Sequence, residues 1–187
     1  MQTAPETSLY ESLLSLPDGL TGEILDGQLH TEPRPSGRHA LAESALQSKL
    51  FRAYHEGDGG PGGWWILVEP EVHFVRDREL AVPDIAGWRR ERLPRLPEDH
   101  RFEVVPDWVC EILSPGTESK DRRIKMPLYA RHGVRHLWLV DPVARTLETY
   151  ALAEGAWKAI AVHGGEAAVV HAEPFAELGI DLAGLWA

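Results

Sequence analysis

One cysteine, Cys110, and two methionines are all the sulfur in a chain of 187 residues. A lone cysteine excludes an internal disulfide, and its apolar neighbours make it an expected core residue. No apolar stretch runs beyond a few residues, so no transmembrane helix and no membrane partner are expected. The N-terminus, MQTAPETSLYESLL, has no basic segment followed by a hydrophobic one, so no secretory signal is expected and the expected location is cytoplasmic. Basic residues are in deficit, 19 against 29 acidic ones, for a formal net charge of -10. That balance is awkward for a nucleic-acid binder, because phosphate contacts need Lys or Arg. G-x-x-x-x-G-K-[ST], G-x-S-x-G and H-E-x-x-H are all missing, which removes nucleotide hydrolysis, serine hydrolase chemistry and a helical zinc site as leading ideas. His132 and His136 straddle Gly133, a helix breaker that keeps them apart. There is no internal repeat.

What is present is an ordinary globular composition, 43% hydrophobic and 26% charged, long enough for one domain over residues 1–187. TSLYESLLSL (7–16) predicts a short amphipathic helix that Thr7 or Ser8 can cap. TGEILDGQLHTE predicts a hairpin turning at Asp26-Gly27, which completes an N-terminal helix-and-hairpin unit over 7–32. Residues 37–56 carry Leu41, Ala45, Leu46, Leu50, Ala53 and Tyr54 on one helical face, and GDGGPGG stops the helix. Three strand-like runs follow: WWILVEPEVHFV with a break at Pro70, LAVPDIAGW, and DWVCEIL. Helical pattern returns between about 119 and 132, with Pro127 in a first turn or at a kink, and RHLWLVD is a further buried strand. TLETYAL, WKAIAV and AAVVHA predict an antiparallel meander within 146–187. The fold class is α/β (α+β): a core over about 37–141 in the order helix, three strands, helix, strand, forming a mixed sheet.

Two carboxylates stand where apolar residues belong. Glu111 lies in the middle of DWVCEIL, and Asp84 lies among Val82, Ile85 and Ala86. A carboxylate inside a strand costs several kcal/mol unless it is paired, hydrogen-bonded or metal-bound. Side chains directly opposite on neighbouring strands are about 5 Å apart. Such a pair repels unless protonated or bridged by a cation, and Mg²⁺ (or Mn²⁺) suits one or two carboxylates, several waters and a substrate phosphate. A nearby lysine then completes a hydrolytic site. Lys125 is on the helix that must pack back on the sheet, and it shares a helix face with Asp121, four residues earlier. The bland alternative is an Asp–Lys surface pair worth a few tenths of a kcal/mol. The basic residues cluster in WRRERLPRLPEDHR and KDRRIK, where Arg89, Arg90, Arg92, Lys120, Arg122 and Arg123 are candidates for phosphate contacts or members of solvated surface segments. Trp88, beside the first cluster, is the tryptophan placed to stack on a base.

The ordered set PDIAGW (83–88), then PDWVCEILSPGTESKDRRIKMPLYARHGVRHLWLVDP, with EILDGQL and PSGRHALAESAL upstream, resembles the Uma2 family of restriction endonucleases within the PD-(D/E)xK nuclease superfamily. The resemblance covers nearly the whole chain. It implies a restriction-endonuclease-like core and a metal-dependent endonuclease that hydrolyses DNA phosphodiester bonds. In that reading Asp84 and Glu111 are metal ligands, and Lys125 is the third catalytic residue. The superfamily motif places lysine two residues after the glutamate; here that slot is Leu113, and the resemblance implies that the lysine has moved to the following helix. Glu23 is a candidate third carboxylate, and Glu23, His39 and Asp121 are candidates to support the metal ligands from behind or to contact substrate, His39 through a phosphate. Cutting both strands of DNA requires two sites, so a homodimer is the natural expectation. Two rivals remain: a catalytically inactive nuclease-fold binding module, favoured by the acidity and by Leu113, and a metal-free acid/base hydrolase that works as glycosidases do.

Overall fold

A computed structural model describes residues 8–164 and 169–186, and of Pro33 only the backbone. The chain is a mixed α+β fold of two mixed sheets and few helices. Helix α1 (Leu9–Leu14) starts at Ser8, whose hydroxyl accepts from the Glu11 N–H while the Glu11 carboxylate reaches back to the Ser8 N–H, a reciprocal capping box. Thr7, the other candidate cap, lies outside the described residues. Strands β1 (Leu20–Leu25) and β2 (Gln28–Pro33) form the expected hairpin. Asp26 and Gly27 both take positive φ, 49° and 73°, which matches a two-residue turn to the strands' right-handed twist.

Helix α2 (Gly37–Leu50) is capped by Ser36 and runs on as a π-helical turn, Phe51–Glu56, to a left-handed Gly57. Its buried face is His39, Ala42, Glu43, Leu46 and Leu50. Leu41, expected on that face, is exposed; the apolar stripe is displaced by about one residue because two polar side chains, His39 and Glu43, take inward positions.

The break expected at Pro70 is present, and LAVPDIAGW, expected as one strand, is divided as well. WWILVEPEVHFV divides into β3 (Trp64–Val68) and β4 (Glu71–Val75), and LAVPDIAGW divides into β5 (Glu79–Ala81) and β6 (Ile85–Arg89). β3 pairs with β6 in one sheet and β4 with β5 in the other, so a single antiparallel ribbon bends from sheet to sheet. Both bends carry a proline, Pro70 and Pro83, where a missing N–H costs no ladder bond. The Glu69 N–H donates to the Asp84 carbonyl across the corner.

Strands β7 (Arg101–Phe102), β8 (Trp108–Ile112) and β9 (His136–Asp141) follow, with β8 and β9 parallel. The connection between β8 and β9 is continuous helical chain: α3 (Glu118–Lys120), a π-helical turn over Asp121–Lys125, and α4 (Met126–Arg131) with Pro127 in its first turn. β10 (Thr146–Ala153) and β11 (Ala156–Gly164) form a hairpin on the edge of the larger sheet, whose order is β11-β10-β9-β8-β6-β3. The smaller sheet runs β2-β1-β5-β4-β7. The expected meander stops at that hairpin. β12 (Val169–Val170) pairs instead with β13 (Ile180–Asp181), ahead of a 3₁₀ turn at Ala183–Leu185; residues 167 and 168 of AAVVHA lie outside the described residues.

The larger sheet is buried on both faces. On one, Trp108, Trp138 and Trp64 turn their ring edges to Phe175 beneath α2. On the other, Val109, Leu113, Leu137 and Leu139 join Leu128 and Tyr129 of α4. Trp88 is fully buried, stacked on Phe102, and its indole N–H donates to the Val104 carbonyl. It is core and cannot stack on a base.

Candidate active site

The bent ribbon decides where Asp84 stands. β6 pairs with β8 antiparallel as Ile85↔Cys110, Ala86↔Val109 and Gly87↔Trp108. Continued by one residue, that register sets Asp84, at the corner, opposite Glu111. The Ile112 N–H donates to Asp84 Oδ2 at 2.6 Å, which holds the carboxylate against the end of β8. Asp84 and Glu111 line one cavity of about 450 Å³, together with Glu23, His39, Asp121 and Lys125.

Lys125 comes to the same place from the helix. The wide π-helical turn presents Asp121 and Lys125 inward, and both are buried. Lys125 Nζ lies 2.8 Å from Glu111 Oε2 and 3.0 Å from Glu23 Oε1, with the Val82 carbonyl at 3.3 Å and Asp121 Oδ1 at 3.9 Å. The Tyr129 hydroxyl, one helical turn on, donates to the other Glu111 oxygen. Glu23 accepts the Val82 N–H at 2.9 Å and also pairs with Lys120, which reaches Glu32 at 3.0 Å. Burial works to discharge Lys125, but Glu111 and Glu23 outweigh it and push its pKa well up, so the ammonium stays charged. Burial is likewise the largest influence on Glu111 and drives its carboxyl well above the ordinary range, against the pull of Lys125. Asp121 is pushed up to about 6, by burial first and then by Asp84 and Glu32, against Lys125 and Lys120.

On the other side of Asp84 is His39. Its Nε2 is 3.3 Å from Asp84 Oδ2, and its Nδ1 is 3.8 Å from Glu43 Oε2, one helical turn away. His39 Nδ1 and Glu43 Oε1 are buried with no hydrogen-bond partner. Burial opposes protonation of His39, but the Asp84 hydrogen bond and the charges of Asp84, Glu43 and Asp121 prevail and raise its pKa. Glu43 is pushed up to about 7 by burial, then by Asp84 and Glu69. Nothing in a single glutamate on a helix marks it in the sequence; the one available signal is its i,i+4 spacing from His39.

The Glu43 shift carries a pH prediction. With its folded pKa near 7 and its ordinary value at 4.5, the native state holds the extra proton between those pH values, so stability falls as pH rises through that window. Glu43→Gln removes the cost. The variant is expected to melt a few degrees above the parent at pH 8 and level with it at pH 4.5. Equal melting temperatures at pH 8 would contradict a buried, repelled carboxylate at this position.

The arginine-rich segment is elsewhere. Arg89 ends β6, roughly 16 Å along the chain direction from Asp84. Its guanidinium lies over Trp64, and that of Arg90 lies over Trp65 while donating to the Trp64 and His55 carbonyls. Arg92 pairs with the buried Asp107 at 2.7 Å. The structure does not bring these three to the cavity. Arg122 is held by Glu118 and Glu148, and Arg123 is exposed beside Lys120 on the flank of the helix. Arg34, which the sequence reasoning passed over, does line the cavity; it is exposed and forms no ion pair with any described residue. Its signal was position alone, in the loop between the hairpin and the helix that carries His39.

Among the described residues no three His, Cys, Asp or Glu side chains are spaced to form a ready-made metal cage. The donors do fit a hard cation of the Mg²⁺ type. Asp84 and Glu111 offer two carboxylates on one cavity, and such an ion draws its remaining ligands from water and substrate phosphate.

Residues 9–183 match the family model Uma2, described as putative restriction endonuclease. An uncharacterized protein of Synechocystis sp., slr1290, is 27% identical over 110 residues, 59% of this chain and 54% of that protein, so the match spans about half of the relative's length. A crystal structure titled as a putative nuclease belonging to DUF820 from Anabaena variabilis superposes with a TM-score of 0.75 at 25% identity, covering 96% of this chain and 97% of the other.

Proposed function

This chain belongs to the Uma2 family, whose model is described as putative restriction endonuclease, and we propose that it is a nuclease that hydrolyses DNA phosphodiester bonds with a divalent metal, Mg²⁺ or Mn²⁺, held by Asp84 and Glu111. One observation carries the proposal: Asp84 from a sheet-to-sheet corner, Glu111 from a central strand and Lys125 from a helix meet at a single cavity. Three separate elements bring charged side chains to one buried point, where each is costly unless paired, hydrogen-bonded or metal-bound, and such clusters of perturbed ionisable groups concentrate at functional sites.

The chain's own residues divide the work. Glu111 is fixed at both oxygens, by Lys125 and Tyr129, and Asp84 is fixed by the Ile112 N–H and His39. Both carboxylates are therefore preorganised. Lys125 keeps its proton, and its ammonium can orient the attacking water or stabilise charge developing on the phosphoryl oxygens. Glu23 and the Tyr129 hydroxyl hold the geometry around it. A bound divalent cation supplies Lewis acidity and a lowered water pKa. Leu113, in the slot where the superfamily motif has lysine, is buried in the apolar cluster with Leu128 and Tyr129, which leaves Lys125 as the ammonium at the site.

The test is metal binding. Titration calorimetry with Mn²⁺ should show a site in the parent protein that Asp84→Asn weakens at least tenfold, with melting temperature little changed. Equal affinity in the two proteins would remove Asp84 from the metal site.

A further inference from the structure

We infer that the substrate enters this site as an unpaired strand, or as the freed end of a duplex, and not as continuous double helix. The inference rests on the nuclease reading above and deepens it by naming the form of nucleic acid that fits.

Depth is the first reason. Glu111 and Lys125 are 2% and 3% exposed, at the floor of a cavity of about 450 Å³. That is the size of a small-molecule site, with room on the order of one nucleotide. A duplex is stiff and carries its phosphates on a convex outer surface. Enzymes whose reacting groups lie at the bottom of a pocket act on a single strand or draw a nucleotide out of the stack.

The wall of the cavity is also fixed. Thr21, Glu23, Thr31 and Glu32 of the β1–β2 hairpin form one side of it. Glu23 is tied to Val82, Lys120 and Lys125, and Lys120 is tied in turn to Glu32. Both strands of the hairpin are thus fastened to the helix by ion pairs, buried at Glu23 on β1 and partly exposed at Glu32 on β2. Swinging the hairpin aside for a duplex would strand buried charges.

Charge gives the third reason. Six acidic side chains line the cavity (Glu23, Glu32, Glu69, Asp84, Glu111 and Asp121) against Arg34, Lys125 and the imidazole of His39. A duplex brings one negative charge per about 1.7 Å of its axis, twice the density of one strand, so it meets the stronger repulsion. Arg34, exposed at the mouth and free of ion pairs with described residues, is placed to take a phosphate of the entering strand. An unpaired strand also needs only one site per cut, so this substrate makes no demand for the dimer that a double-strand cut requires.

The experiment uses the full chain and short fluorescein-labelled DNA of one sequence in three forms: single strand, blunt duplex and splayed duplex. Anisotropy in Ca²⁺ gives affinity, and a Mn²⁺ time course gives cleavage. The single strand should bind at least about tenfold tighter than the blunt duplex, and cleavage should be confined to the single strand and the splayed arms. A blunt duplex bound as tightly, or cut as fast, would overturn the inference and leave the nuclease reading standing. Failure to bind or cut any form would overturn both. Arg34→Ala, a surface change, should lower the slope of log affinity against log salt for the single strand by about one. An unchanged slope would contradict the path over Arg34.

Discussion

Lys125→Ala is expected to lower the melting temperature by roughly 10 °C and to lower cleavage at least about a hundredfold even at temperatures where the variant is folded. A lysine on a helix ordinarily snorkels to water, and its removal is cheap. Here Nζ sits between Glu111 and Glu23 with Asp121 behind it, and the side chain is 4% exposed. Removing the ammonium leaves two buried carboxylates without their counter-charge, a change that costs about 3–5 kcal/mol. The catalytic loss has a different origin, the absence of a preorganised positive charge beside the scissile phosphate. Calorimetric melting and single-turnover cleavage separate the two. A variant that melts with the parent would show that Lys125 reaches solvent, and one that cleaves normally would remove it from the mechanism.

Glu111→Gln should behave in the opposite way with respect to stability. Burial already pushes the Glu111 carboxyl well above its ordinary range, so the charged form is tolerated at a cost. Glutamine keeps an oxygen for the Tyr129 hydroxyl, and Lys125 retains Glu23 as its counter-ion. The melting temperature should stay within a few degrees of the parent or rise. Cleavage should fall by about a thousandfold or more, because a neutral amide is a poor ligand for a hard cation. The contrast between the two variants is the signature expected of a cluster with more carboxylates than cations. A large loss of stability in Glu111→Gln would instead identify Glu111 as a structural hydrogen-bonding residue.

Much of this was legible in the sequence where the signal is local. Asp26-Gly27 specifies its hairpin through backbone conformation, Ser8 caps the helix that follows it, and Asp84 and Glu111 stand out because carboxylates are expensive inside apolar runs. What was not legible depends on distant partners. LAVPDIAGW reads as one strand because periodicity sees one segment at a time, and although Pro70 marks a break in WWILVEPEVHFV, only the pairing of β3 with β6 and β4 with β5 shows that both segments bend between sheets. The bend is what sets Asp84 at the cavity. Glu43 was hidden because an inward glutamate looks like a surface one until the helix is docked. The arginine cluster is the reverse case: its place at the end of β6 away from Asp84 follows from chain order, but charge in sequence does not tell that Trp64, Trp65 and Asp107 engage its guanidiniums.

The most direct test of the central claim is a single-turnover cleavage assay on labelled single-stranded DNA, run across a Mg²⁺ titration with parent, Asp84→Asn and Glu111→Gln proteins whose folding is confirmed by melting curves. If Asp84 and Glu111 hold a catalytic metal beside Lys125, the parent cleaves with saturating Mg²⁺ dependence, no cleavage appears in chelator, and both variants lose activity by about a thousandfold while remaining folded. Parent activity that persists in chelator, or a folded Asp84→Asn that cleaves like the parent, would contradict it.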